Sequence, residues 1–303
     1  MGTQLFSLNG FSQWGTEAAS KKLSLHDYVL EYEKQEHGLS EGEVREKLSQ
    51  AYEVMDEAIQ EGLEKDLKSR SGMIAGGGKK VMKSPISVLS SEFQELVAYA
   101  LAAKEVNACM GKVVAAPTAG ASGILPATLK ILHKIHGCTP KQIIDAMLVA
   151  AGIGIIIEKR ASIAGSVGGC QAETGSAAAM GSGAITYILG QKNTEQVFRA
   201  VAITIQCMLG LVCDPVAGLV EVPCVVRNAS ASAIAYSSAQ IALSGIDSVI
   251  PADECVDAMG EIGLSMETRY KETAEGGLAA TPTGKDIMQK IIRNLSEEKN
   301  GNG

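Results

Sequence analysis

The sequence predicts a mostly α-helical protein, a single large helical domain interrupted by Gly- and Ser-rich loops. Two observations carry that reading. Apolar residues recur at three- and four-residue spacing behind recognisable helix caps. There is no internal repeat and no regular strand–helix alternation, and β-branched runs such as Gly111-Lys112-Val113-Val114 are too few for a parallel sheet. A third observation concerns the interior. Aromatic residues make up only 4% while glycine numbers 33, so packing relies on close backbone approach rather than on large anchors. With 46% hydrophobic and 20% charged residues, a sizeable core can form and disorder is not expected.

The first expected helix runs from Leu25 to His37 and stops at Gly38, a residue suited to a left-handed cap. The next starts at about Glu41. Ser40 and Glu43 make a capping box, and Val44, Leu48, Met55 and Leu63 supply an apolar face. Residues Ser71 to Lys80 include Gly76-Gly77-Gly78-Lys79-Lys80. This is either a flexible linker or a loop whose N–H groups and lysines meet an anion; its spacing is not that of a Walker loop. Thr139-Pro140-Lys141-Gln142 opens another helix, expected to reach about Ile157. A further helix starts at Asn193 or Thr194 and passes through Val197, Val201, Ile205 and Met208. Ile287, Met288, Ile291, Ile292 and Leu295 mark one face of a last helix. The organisation expected is an acidic helical segment over residues 1–70, a helical core over 71–296 and a flexible tail over 297–303. The first 70 residues hold 14 acidic residues, whereas Gly111 to Ile250 hold seven, so charges in the second region each need a reason.

The net charge of −7 argues against a nucleic-acid-binding surface. The opening residues lack a basic segment followed by an apolar one, so no secretory signal is expected. The run Ala146 to Ile157 is short for a membrane span and reads as a buried helix. The seven cysteines fit reduced thiols in a cytoplasmic protein.

Three stretches carry chemistry. Ala116-Pro117-Thr118-Ala119-Gly120-Ala121-Ser122-Gly123 is a tight loop entering a helix, where N–H groups could hold a carboxylate; an ordinary capped turn is the alternative. Glu158 to Gly175 places Cys170 after a Gly-Gly pair, with room for a bulky partner. Cys213 to Asn228 sets Cys213 and Cys224 around a loop broken by Pro and Gly. The spacing matches neither a zinc nor a ferredoxin pattern.

Taken together, "APTAGASGILPATL", "EKRASIAGSVGGCQAETGSA" and "CDPVAGLVEVPCVVRNA" are similar to the α chain of iron–sulfur L-serine dehydratases, also called L-serine ammonia-lyases. The resemblance runs from about Ser71 to the last helix. It implies a [4Fe-4S] cluster held by Cys170, Cys213 and Cys224, leaving one iron open as a Lewis acid. It implies a pyridoxal-phosphate-independent lyase that converts L-serine to pyruvate and ammonia. Thr118, Ala119 and Gly120 are expected to bind substrate, with Ser71 and Gly72 opposite. Lys159 and Arg160 would counter the negative charge of cluster and substrate, or pair with Glu158. Arg227 and Asn228 follow Cys224 by three and four positions, on its side of a helix. They would reach the cluster sulfurs, with Asn228 also expected among the substrate-binding residues, or Arg227 would pair with Asp214 or Glu221.

The general base has no candidate in the sequence. His26 and His37 lie among charges and are expected to be solvated, and His133 and His136 flank a helix end. Some members of the family are single chains with a histidine-bearing extra domain. A separate β subunit is therefore expected to complete the site, in a heterodimer or larger assembly, and to supply the base. The alternatives are a related iron–sulfur cysteine desulfidase or hydro-lyase, and a non-catalytic iron–sulfur sensor.

Overall fold

A computed structural model describes residues 5–300, and among them thirteen α-helices and no β-strand. The N-terminal layer is α1 (Phe11–Ser20), α2 (Leu25–His37) and α3 (Glu41–Glu64). The expected caps are in place. Ser24 accepts from the Asp27 N–H, Gly38 ends α2 in the left-handed region, and Ser40 with Glu43 closes the capping box of α3. These acidic helices are solvated on one face only. Trp14, Tyr28, Val29 and Met55 are buried in the same apolar core as Ile143, Ile153 and Val201.

The core continues through α4 (Gly77–Met82), α5 (Ser91–Ala108), α6 (Ile124–Lys134), α7 (Pro140–Arg160), α8 (Gly165–Gly168) and α9 (Ser176–Leu189). It closes with α10 (Thr194–Met208), α11 (Cys224–Leu243), α12 (Ala252–Ser265) and α13 (Pro282–Asn300). Helix α9 is the axis, packing against α6, α7, α10 and α11. Its run of buried Ala177, Ala178, Ala179, Gly181, Ser182 and Gly183 lets four neighbours come close. Helix α7 is long and apolar enough to cross a membrane, but it is buried against α2 and α9. It extends to Arg160, three residues beyond its expected end at Ile157. Helix α13 continues to Asn300, so the first four residues of the expected tail 297–303 are helical and the rest lie outside the described residues.

His26 departs from expectation. It is 6% exposed, not solvated. Its Nδ1 lies 2.5 Å from the Tyr187 hydroxyl and 2.7 Å from Ser24 Oγ, while Nε2 lies 3.4 Å from Asp145 Oδ1. Arg45 donates to the same Asp145 oxygen at 3.0 Å. The neighbouring charges that suggested solvation are instead the partners that permit burial.

Candidate active site

Cys170 follows Gly169, whose φ of +75° and ψ of −174° only glycine adopts readily. A Cβ there would stand 2.8 Å from Met266 Sδ and 2.9 Å from the Leu211 carbonyl oxygen. The chain then makes a π-helical turn over Gln171–Gly175 before α9 begins. Cys213 is fixed by backbone: its N–H donates to the Tyr270 carbonyl, and its carbonyl accepts from Glu272. Cys224 is the first residue of α11, where the helix dipole favours an anionic sulfur.

These three thiols lie within electrostatic reach of one another. Cys170 and Cys213 are each 4% exposed, and Cys224 is less deeply buried. Burial pushes Cys224 up to about 12, with Cys170 and Glu173 adding to the rise and Lys104 and Arg227 opposing it. Burial, then the Cys170 charge, raises Cys213 further. Cys170 is raised by burial against the help of Thr174, whose hydroxyl lies 2.8 Å from its sulfur, and of Arg227. Three neighbouring thiols that resist ionisation for shared reasons form a donor set that a positive metal centre would convert to thiolates. The remaining cysteines, Cys109, Cys138, Cys207 and Cys255, are free thiols.

Around the thiols stand groups the sequence did not single out. Glu173 is half-buried, and burial raises its carboxyl above the usual range. Its oxygens fill the space a side chain would need at Gly120 and Gly165. A Cβ on Gly165 would lie 3.0 Å from Glu173 Oε2 and 3.3 Å from Cys213 Sγ. Lys104 is fully buried, and burial lowers its pKa against the opposing pull of Cys224, Glu173 and Cys170. Neither was visible in the sequence, because Lys104 sits in an otherwise apolar helix and Glu173 in a Gly/Ser-rich turn.

The expected binding loop does reach this centre. Thr118 faces Glu173 without closing a well-aligned hydrogen bond, the Ala119 carbonyl accepts from Lys104, and the Gly120 carbonyl accepts from Asn228. Asn228 lies on the Cys224 side of α11, but its amide is fully committed to backbone. It donates to the Gly120 and Cys224 carbonyls and accepts from the Gly123 N–H. Its place is therefore that of a brace for the turn, not of a ligand to sulfur or substrate. Arg227 takes the ion-pair alternative, with Asp214. Its Nη2 lies 2.9 Å from Asp214 Oδ1, an ion pair without hydrogen-bond alignment, and the guanidinium also reaches Cys170. Ser71 and Ser69 both donate to Glu221, three residues before Cys224, so Ser71 and Gly72 border the loop that carries this cysteine.

Lys159 and Arg160 are not brought to the centre. Lys159 lies over the Tyr32 ring, and Arg160 forks onto Asp257 at 3.0 and 2.5 Å. Their charges tie the end of α7 to the N-terminal layer and to α12. The glycine loop also has an internal answer: the Gly77 and Gly78 N–H groups donate to buried Glu105 at 2.5 and 3.0 Å, and Lys79 pairs with Asp66. Its anion is a side chain of α5.

A family model described as "Serine dehydratase alpha chain" matches residues 20–279. The chain is 42% identical over 275 residues to a probable L-serine dehydratase alpha chain of Bacillus subtilis, covering 90% of this chain and 91% of that one. It is 42% identical over 274 residues to an L-serine dehydratase alpha chain of Peptoniphilus asaccharolyticus, covering 89% and 94%. It is also 37% identical over 268 residues to an L-serine dehydratase of Streptomyces coelicolor, covering 85% of this chain and 57% of that longer protein.

Proposed function

The chain belongs to the serine dehydratase alpha chain family, and from that premise we propose that it is the catalytic subunit of an iron–sulfur L-serine dehydratase acting with a separate β chain. The observation that carries the reading is the convergence of Cys170, Cys213 and Cys224, from three separate segments, on one buried centre. Among the described residues no three His, Cys, Asp or Glu side chains gather around a single ion.

Cys170, Cys213 and Cys224 would hold a [4Fe-4S] cluster. When bound, that group supplies a Lewis acid for a departing hydroxyl and for charge developing beside the substrate carboxylate. The chain's own residues prepare the site. Arg227 sets a positive charge against Cys170, and Asn228 fixes the Thr118–Gly123 turn beside it. Glu173 holds a carboxyl at the same place. In the overall reaction the Cα proton and the β-hydroxyl leave serine as water. The resulting aminoacrylate tautomerises to an imine, and its hydrolysis gives pyruvate and ammonia. A β chain would close the site and contribute the base that takes the Cα proton.

The test is anaerobic reconstitution with iron and sulfide, with and without the β chain, followed by a pyruvate assay on L-serine. The expected protein is brown, contains iron and sulfide, and works only when the β chain is present and air is absent. Replacing Cys170, Cys213 or Cys224 with Ala removes iron, whereas Cys207→Ala does not. Activity that survives air and chelators would end the cluster reading, and sulfide release from cysteine in place of pyruvate from serine would change the substrate.

A further inference from the structure

Lys104 and Glu105 are adjacent buried charges in α5 with different fates. The Glu105 carboxylate is answered by two backbone N–H groups. The Lys104 ammonium has no such answer. It is 0% exposed, and it donates only to neutral oxygens, Asn107 Oδ1 and the Ala119 carbonyl at 3.3 Å. Among the described residues no carboxylate stands within ion-pair distance of it. A buried ammonium without a bound anion is costly, and it persists where an anion arrives during function. An ammonium has three N–H donors, so two neutral acceptors leave one available.

The surroundings say which anion. The Ala119 carbonyl that orients Lys104 belongs to the turn whose next carbonyl is held by Asn228. In the same turn the Ser122 hydroxyl is buried without a partner. Burial works against the ammonium's charge, and the groups that support that charge are Cys224, Glu173 and Cys170. We propose that Lys104 is the fixed cation that receives the α-carboxylate of the amino-acid substrate beside the three cysteines. This rests on the serine dehydratase reading. The remaining neighbour, Arg227, is already engaged by Asp214 and by the Val212 carbonyl.

The experiment uses the loaded enzyme with its β chain and the variant Lys104→Met, which keeps the length of the side chain and removes the charge. Iron and sulfide content stay at the wild-type level. The KM for L-serine rises about 30-fold or more, the range expected when one partner of a buried charge pair is lost, while kcat falls less. Calorimetry with L-alanine, which has the amino and carboxylate groups but no hydroxyl, shows the same loss of affinity without requiring turnover. Should Lys104→Met not fold, Lys104→Gln is read in the same way. An unchanged KM and unchanged L-alanine affinity would overturn the proposal. So would loss of iron, because the charge would then belong to the thiolates. Wild-type enzyme that binds L-alanine through Lys104 yet forms no pyruvate would remove the dehydratase reading and leave the anchor standing.

Discussion

Arg227→Met tests whether the cysteine centre is braced by a buried ion pair. Asp214 is 3% exposed, and its second oxygen accepts from the Leu278 N–H at 2.8 Å. Removing the guanidinium leaves that carboxylate with one amide, and it also removes the 2.8 Å bond from Arg227 to the Val212 carbonyl. Breaking a buried pair from one side costs about 3–5 kcal/mol. The Arg227 side chain keeps 18% exposure, so the lower end applies. At roughly 2–4 °C per kcal/mol for a domain somewhat smaller than this chain, the metal-free protein should melt about 6–12 °C lower. The assay is thermal unfolding by circular dichroism at pH 7 for Arg227→Met, Asp214→Asn and the double variant. Each single change strands a charge, whereas the double change removes both. The double variant should therefore lie above the sum of the singles, with a coupling of about 1.5 kcal/mol or more. A shift below about 2 °C for Arg227→Met, or strict additivity, would show that the pair bears no weight.

Three further outcomes are expected. Gly169→Ala forces a backbone region suited to glycine and collides with Met266 and Leu211, so it should cost about 1–3 kcal/mol and lower iron uptake in reconstitution, read by melting and iron analysis. His26 has its pKa lowered, first by burial, against the opposing pull of Asp145 and Asp27. The fold therefore favours neutral imidazole. Its contribution is complete above the unfolded value of about 6.5 and is lost as pH falls through the lower folded value, with a slope of at most about 1.4 kcal/mol per pH unit. Urea unfolding between pH 5 and 7.5 should show that slope, and His26→Gln should flatten it. Thr139→Ala removes the capping box of α7 and should cost about 1 kcal/mol in the same urea assay.

The helices that the sequence announced are those with a local signature. Ser24 and Gly38 bound α2, Ser40 with Glu43 opens α3, and Thr139 with Gln142 opens α7. Helices without one stayed hidden. In α5 buried residues occupy nearly every position from Leu96 to Val106, so no apolar stripe repeats along it. In α9 glycine and serine weaken the helical signal, and its stability comes from four packed neighbours. The site divides in the same way. Cys170, Cys213, Cys224 and the turn at Thr118 stood out by motif. Lys104 did not, because a lysine in a helix is ordinarily a solvated residue, and only packing makes it a buried one. Lys159 and Arg160 misled because their place after an apolar helix suggested a charged site, while their partners, Tyr32 and Asp257, are distant in sequence.

The distribution of acids over the centre of the chain supports the proposed site. Of the seven between Gly111 and Ile250, Glu158, Glu195 and Asp247 are exposed. Asp145 is answered by Arg45 and His26, Asp214 by Arg227, and Glu221 by Ser69 and Ser71. Glu173 is left without an ion-pair partner among the described residues, as is Lys104 among the buried cations. Folding alone would be served by joining the two or by deleting both. Instead both lie beside the cysteines, and glycines at 120 and 165 leave the room that the Glu173 carboxyl occupies. That this acid, this amine and three thiols lie together at one place, while the other buried acids of this region are answered, is what the proposed site would require.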